Sequence, residues 1–257
     1  MSLVLYESVS KTVGKITFHD PDHLNAMGED MADEFKKVID GLKGNRNLRA
    51  LILTGAGRAF SAGGHLNMLE DKTKLSGEEN RIRMLEYYRS FLGMLDLSIP
   101  LVAAINGHAI GAGLCVACAC DVRVCAQSAK LGFTFTRLGL HPGMGATYFL
   151  PRLIGISAAS ELMLTGRVID AKRASEIGLV SEVVGDNLAL TRALEIAEEI
   201  SLCGPEANRQ LLQTLRSGTG SLTQALEREA SSQAINYASP EFKEGVRAAI
   251  EKRQASF

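Results

Sequence analysis

Two glycine-rich segments carry the chemistry this sequence offers. Phe60-Ser61-Ala62-Gly63-Gly64-His65-Leu66 follows a short apolar run at 51–54, and Asn106-Gly107-His108-Ala109-Ile110-Gly111-Ala112-Gly113 separates two further apolar runs. Small residues let a ligand approach the backbone closely. The first N–H groups of a helix have no intrahelical acceptor and carry positive partial charge. Two such N–H groups converging on one point form an oxyanion hole, a site for the negative charge that develops on a carbonyl oxygen. Two other patterns suggest chemistry and lose to simpler explanations. Cys115-Val-Ala-Cys118-Ala-Cys120 has metal-ligand spacing, but no second His or Cys pair completes a tetrahedral site, so these thiols are expected to pack in a core and no metal is expected. Gly55-Ala-Gly57-Arg-Ala-Phe60 fails as a dinucleotide fingerprint because its third glycine is Phe60.

The turns need elements to hold them. Residues 3–8 and 13–18 are β-prone and read as a hairpin. Met31, Phe35, Val38, Ile39 and Leu42 fall at helical spacing, with Gly41 and Gly44 able to end that helix. Residues 49–54 and 101–105 read as buried strands, 77–96 as a polar helix, 107–113 as a turn and 114–120 as an apolar helix, with short strands at 121–125 and 130–133. Strands alternating with helices indicate an α/β fold. From about 186 onward the pattern is helical only. Leu222, Ala225, Leu226, Glu229, Ala230, Gln233, Ala234 and Tyr237 share one mostly apolar face, and Ser239-Pro240-Glu241 is a helix start with Ser as N-cap and Pro at the first helical position. No Pro-, Gly- or Ser-rich linker intervenes. The expected organisation is an α/β core at 1–185 and a helical region at 186–257 packed on that core or on a neighbouring subunit.

Composition narrows the function classes. A formal net charge of −1 with no clustered Lys and Arg argues against nucleic acid. The longest weakly polar run, 99–120, is interrupted by Pro100, Asn106, His108 and several glycines, so no membrane span is expected, and the N-terminus does not read as a signal peptide. Five cysteines, an odd number with four crowded between 115 and 125, do not form a disulfide framework, and a cytoplasmic location is expected.

The motifs together resemble the crotonase superfamily, the enoyl-CoA hydratase/isomerase family. They are Leu24-Asn25-Ala26-Met27, the 60–64 turn, Pro100 through Gly113, Cys120-Asp121, Leu138-Gly139-Leu140-His141-Pro142-Gly143, Leu162 through Gly166, Ala174 through Ser181, and a tail from Glu244-Gly245 to Phe257. The resemblance implies a spiral of ββα units with a C-terminal helical region that builds trimers, often paired into hexamers. It implies an acyl-CoA thioester as substrate, with coenzyme A arriving as part of it and no separate cofactor. Gly64 and Ala112 would supply the oxyanion-hole N–H groups. Leu24, Ala26, Ala62, Gly63 and Leu66 would line the pocket from the first turn, with His108, Gly111, Cys115, Phe135 and Leu140 completing it.

The chain departs from the family where proton transfer is done. The resemblance puts carboxylates at the positions of Cys115 and Phe135 for hydratases, and near Gly143 for some isomerases and dehalogenases; His65 replaces the acid that follows the first turn. Phe and Gly carry no proton-transferring group, and an apolar helix should raise the Cys115 thiol pKa. His65, His108 and His141 are the remaining titratable candidates; His108 reads as a pocket-wall residue rather than a base, and loop capping or turn packing explains His65 and His141 as well. Two readings follow: an enzyme of this family with an altered proton-transfer apparatus, or a non-catalytic acyl-CoA-binding homologue. Only the first predicts turnover.

Overall fold

The computed structural model describes residues 2–218 and 220–257. Its chain winds through successive units of strands followed by a helix, of which the second to fourth each give one strand to a large sheet and one short strand to a small sheet. The hairpin β1 (Val4–Ser8) and β2 (Val13–Phe18) leads to α1 (Glu29–Leu42). The next unit is β3 (Ala50–Gly55), β4 (Ala59–Ser61), α2 (Leu66–Lys72) and α3 (Gly77–Leu92). The third is β5 (Leu101–Ile105), β6 (His108–Ile110) and α4 (Ala112–Ala119). The fourth is β7 (Val122–Ala126), β8 (Lys130–Gly132) and α5 (Ala146–Thr165), which is broken at Gly155. Then come β9 (Val168–Asp170), α6 (Ala171–Glu176) and β10 (Glu182–Val184). The helices α7 (Ala189–Ser201), α8 (Pro205–Ser217), α9 (Leu222–Tyr237) and α10 (Pro240–Glu251) end the chain. The large sheet runs β1-β2-β3-β5-β7-β10 and the small one β4-β6-β8-β9. All pairings are parallel except β1 with β2 and β8 with β9.

The central strands are uninterrupted apolar runs because both faces of the large sheet are covered. Leu51 and Leu53 of β3 face the main core, where Phe18, Phe35, Phe60 and Phe91 pack together. Ala50 and Ile52 face the other way, against Ala189, Ala193 and Ala197 of α7. Alanines four residues apart form one helical stripe, and their small side chains let α7 lie close on the sheet.

The sequence reading differs in the short elements. Residues 107–113 are not simply a turn: β6 stands inside them, and α4 begins at Ala112 rather than 114. The segment 55–66 holds β4 and leads straight into α2. Three-residue strands are too short to display a period of two. Gly41 lies within α1, which ends one residue later.

Several motif residues are structural ties. Asn25 is fully buried with φ 54°. Its amide donates to the carbonyls of Ala56 (2.9 Å) and Ala59 (2.8 Å), and its Oδ1 accepts from the Asp20 N–H at 2.8 Å. Asn106 closes the neighbouring loop, accepting from the Gly55 N–H and donating to the Gly57 carbonyl. Asp121 accepts from the Leu101 N–H and from the Arg216 guanidinium, which fastens α8 to the core. Arg49 donates to the carbonyls of Ser201 and Phe257 and so anchors the tail.

Candidate active site

The two glycine turns touch. Gly63 has φ +93°, and a Cβ there would lie 2.7 Å from the Ile110 carbonyl oxygen and 3.5 Å from the Ala112 nitrogen. Gly111 has φ +54°, and a Cβ there would lie 3.9 Å from the Gly63 Cα. A Cβ on Gly113 would collide with Ser61 at 2.6–2.7 Å, so only glycine lets α4 seat on β4. Side chains are excluded from this junction, and backbone remains.

The junction's polar groups are nearly all paired, which makes the exceptions informative. Met27 forms a parallel bridge with Gly64: its N–H donates to the Gly63 carbonyl at 2.7 Å and its carbonyl accepts from the His65 N–H at 3.2 Å. A parallel bridge of this kind uses the groups flanking Gly64, so the Gly64 N–H points away from Met27. The Gly63 N–H donates to Ser61 Oγ, and the Gly111 N–H donates to the Gly132 carbonyl. Among the described residues, the N–H groups of Gly64 and Ala112 donate to no protein acceptor. Ala112 is the first residue of α4, where an N–H lacks an intrahelical partner and the helix dipole is positive.

The other predicted residues fall into groups. Leu24 is tied to the first turn, its carbonyl accepting from the Ala62 N–H at 2.9 Å. Ala26 and His65 line a cleft of about 630 Å³ shared with Gly28, Met68, Lys72 and Arg83. Leu66, at the start of α2, is exposed. Phe135 stands over the junction, its ring 3.9 Å from where a Gly111 Cβ would be. Cys115 is fully buried one turn into α4, and burial pushes its thiol well above the ordinary range. His108 is exposed, and its Nδ1 accepts from the Lys130 N–H at 3.2 Å. Leu140 and His141 sit together on the exposed segment before α5. A cavity of about 750 Å³ lies elsewhere, between Cys118, Asp121, Phe149 and Arg216, and includes neither glycine turn.

The histidine nitrogens divide by their partners. His65 caps α2, its Nδ1 accepting from the Asn67 N–H at 3.3 Å. The neutral ring therefore carries its proton on Nε2. His141 Nδ1 lies 2.8 Å from the Pro142 carbonyl, which only accepts, so that nitrogen donates and Nε2 keeps the lone pair. Among the described residues no group of three or more His, Cys, Asp or Glu is placed to hold a metal ion, and no helix is long and apolar enough to cross a membrane.

Two residues that the sequence reading passed over stand beside the junction. Tyr87 Oη donates to the Met27 carbonyl at 2.8 Å and so braces the strand that holds Gly64. Tyr88 follows it on α3, its ring against Gly143. Their only sequence signal was a pair of aromatics in the middle of an otherwise polar helix.

Comparison with known proteins agrees with this architecture. The family model described as enoyl-CoA hydratase/isomerase matches residues 8–257. The Bacillus subtilis protein YngF, provisionally described as an enoyl-CoA hydratase/isomerase, is 37% identical over 262 residues, covering 99% of this chain and 97% of its own. The crystal structure of an enoyl-CoA hydratase from Bacillus anthracis is 34% identical and superposes with a TM-score of 0.92, covering 99% of this chain and 98% of that one. A probable enoyl-CoA hydratase/isomerase from Mycobacterium abscessus, also 34% identical, superposes with a TM-score of 0.89 over 100% of this chain and 98% of that one. With the family match spanning nearly the whole sequence and the fold shared end to end, the chain belongs to the enoyl-CoA hydratase/isomerase family of crotonase-fold enzymes.

Proposed function

We propose that this enzyme processes an acyl-CoA thioester whose carbonyl is polarised by the N–H groups of Gly64 and Ala112, without the family's usual carboxylate pair. The observation that carries the reading is the pair of unpaired N–H groups at two touching turns. Leu24, Ala26, Ala62, Gly63 and Leu66 line one side of the thioester, and Gly111 and Phe135 the other. An enolate or tetrahedral oxyanion gains most from such preorganised donors, because they need no rearrangement as charge develops. Proton transfer falls to His65, whose Nε2 bears a proton, and His141, whose Nε2 bears a lone pair. The buried, protonated Cys115 thiol is a poor base.

The replacement of acids by Cys115 and Phe135 favours a second reading, a homologue that binds acyl-CoA without turning it over. Calorimetric titration with a non-hydrolysable acyl-CoA analogue is expected to show saturable binding under both readings. Incubation with a panel of acyl-CoA thioesters, followed by mass spectrometry, separates them by the presence of a product. Absence of thioester binding overturns both.

We further propose a trimer or hexamer. In the isolated chain Ile156 and Leu164 of α5, Leu222 and Leu226 of α9 and Ile250 of α10 are all more than half exposed. Apolar surface on this scale marks an interface. Light scattering is expected to give three or six times the chain mass of 27.6 kDa. A stable monomer would be incompatible with this assembly.

A further inference from the structure

We infer that Tyr87 is a positioning residue: by donating its hydroxyl to the Met27 carbonyl it fixes the direction of the Gly64 N–H, the group proposed above to contact the thioester carbonyl, on which reading this rests.

Two peptide planes meet at Gly64, and Met27 holds both. The plane before Gly64 contains the Gly63 carbonyl and the Gly64 N–H. There is no cis peptide among the described residues, so these two groups point in opposite directions. The Met27 N–H takes the Gly63 carbonyl at 2.7 Å, which turns the Gly64 N–H away from Met27. The plane after Gly64 contains the His65 N–H, which donates to the Met27 carbonyl at 3.2 Å. Whatever turns Met27 therefore turns the Gly64 donor.

Met27 is lightly tethered by hydrogen bonds of its own. Its pairing with Gly64 is an isolated bridge. Leu24 and Asn25 before it both have φ 54°, and the Asn25 clamp on Ala56 and Ala59 acts two residues short of Met27. Among the described residues, the Tyr87 hydroxyl at 2.8 Å is the one side-chain group that hydrogen-bonds to residues 26–28. A carbonyl oxygen has two lone pairs, and here His65 and Tyr87 use one each. Tyr87 is well fixed: its ring is 6% exposed and packs edge-on to Phe91 at 5.3 Å, inside the phenylalanine cluster of the main core. Burial raises its phenol far above the ordinary value, so the hydroxyl keeps its proton and stays a donor.

The second donor is aimed differently. The Gly111 carbonyl shares a plane with the Ala112 N–H and accepts from the Cys115 N–H at 3.1 Å, a bond made by the first turn of α4. A helix aims Ala112, whereas a one-residue bridge and a phenol aim Gly64. Donors stabilise developing charge most when they need no reorientation, so the worth of the Gly64 N–H depends on that phenol.

The test reads the carbonyl itself. Butyryl-CoA, isotopically labelled at the thioester carbonyl, is bound to the full chain and its C=O stretch is followed by infrared difference spectroscopy. The wild-type protein is expected to shift the stretch to lower frequency, because two N–H groups draw charge onto the oxygen. Tyr87→Phe keeps the ring and removes the hydroxyl; it is expected to lose about half of that shift, one of two donors being out of line. For a thioester that is turned over, kcat falls about tenfold while KM changes little, because the loss lies in the transition state. Phe91→Leu is the control for loosened packing: it lowers the melting temperature and leaves the stretch at its wild-type position. An unchanged stretch in Tyr87→Phe, an equal change in Phe91→Leu, or a Tyr87→Phe chain that does not fold overturns the inference and leaves the thioester site standing. Failure of the wild type to bind butyryl-CoA or to shift its stretch overturns the carbonyl site itself.

Discussion

Ala112→Pro is expected to cut kcat/KM for the thioester substrate by about 10²–10³-fold in a protein that still folds. Proline lacks the N–H proposed to contact the carbonyl oxygen and puts a methylene in its place. The substitution is usually hazardous inside a helix, but Ala112 is the first residue of α4, with Gly111 as its N-cap. Proline is favoured at that position because no intrahelical hydrogen bond is lost and its fixed φ suits the helix. Ala112→Gly retains the donor and is the control, with activity expected within a few-fold of wild type. The titration with the acyl-CoA analogue reads the same loss as a weaker Kd, so the test does not depend on knowing the reaction. A folded Ala112→Pro variant with wild-type affinity and turnover would falsify the account of the carbonyl site. Substitution at Gly64 is less informative: a Cβ there points toward Met68 and Leu69 of α2 at 3.6–3.8 Å, so it probes packing rather than the carbonyl.

Hydration of crotonyl-CoA is expected to be slower than that of an efficient hydratase by about 10⁴-fold or more. Each general acid–base group is worth about 10²–10⁴-fold, and on the proposed reading the enzyme works without either water-activating carboxylate. Cys115 is fully buried, and burial holds its thiol protonated. Phe135 puts an apolar ring at the junction, 3.9 Å from where a Gly111 Cβ would be, and supplies no proton-transferring group. The assay is loss of the enoyl absorbance over a range of pH. A rate typical of an efficient hydratase at any pH would show that another group activates water. His141, with its Nε2 lone pair, is the first to replace, by His141→Ala.

Much of the scaffold was legible along the chain. Fully apolar runs such as 51–53 and 101–105 become central strands because both faces of a parallel sheet are covered, and that burial leaves its mark on every residue. The α10 start at Ser239-Pro240 was legible because capping is local: Ser239 Oγ accepts from the Phe242 N–H three residues on. The α9 face was legible as apolar, and in the single chain no residue of α9 is buried.

By itself the sequence determined the α/β pattern, the two glycine turns and the motif order that marks the family, because each is written in neighbouring residues or in a short period. Tertiary structure decided what those residues face. Asn25 reads as a pocket motif but is a buried clamp on Ala56 and Ala59, more than 30 residues away. The N–H groups of Gly64 and Ala112 are free donors only because Met27 takes the groups flanking Gly64 and because α4 begins where it does. Tyr88 looked like one residue of a polar helix until Gly143, on a distant loop, proved to have no side chain where the phenol lies. Local propensity acts over a few residues, whereas the direction of an unpaired donor or the space beside a glycine is set by segments that meet only when the chain has folded.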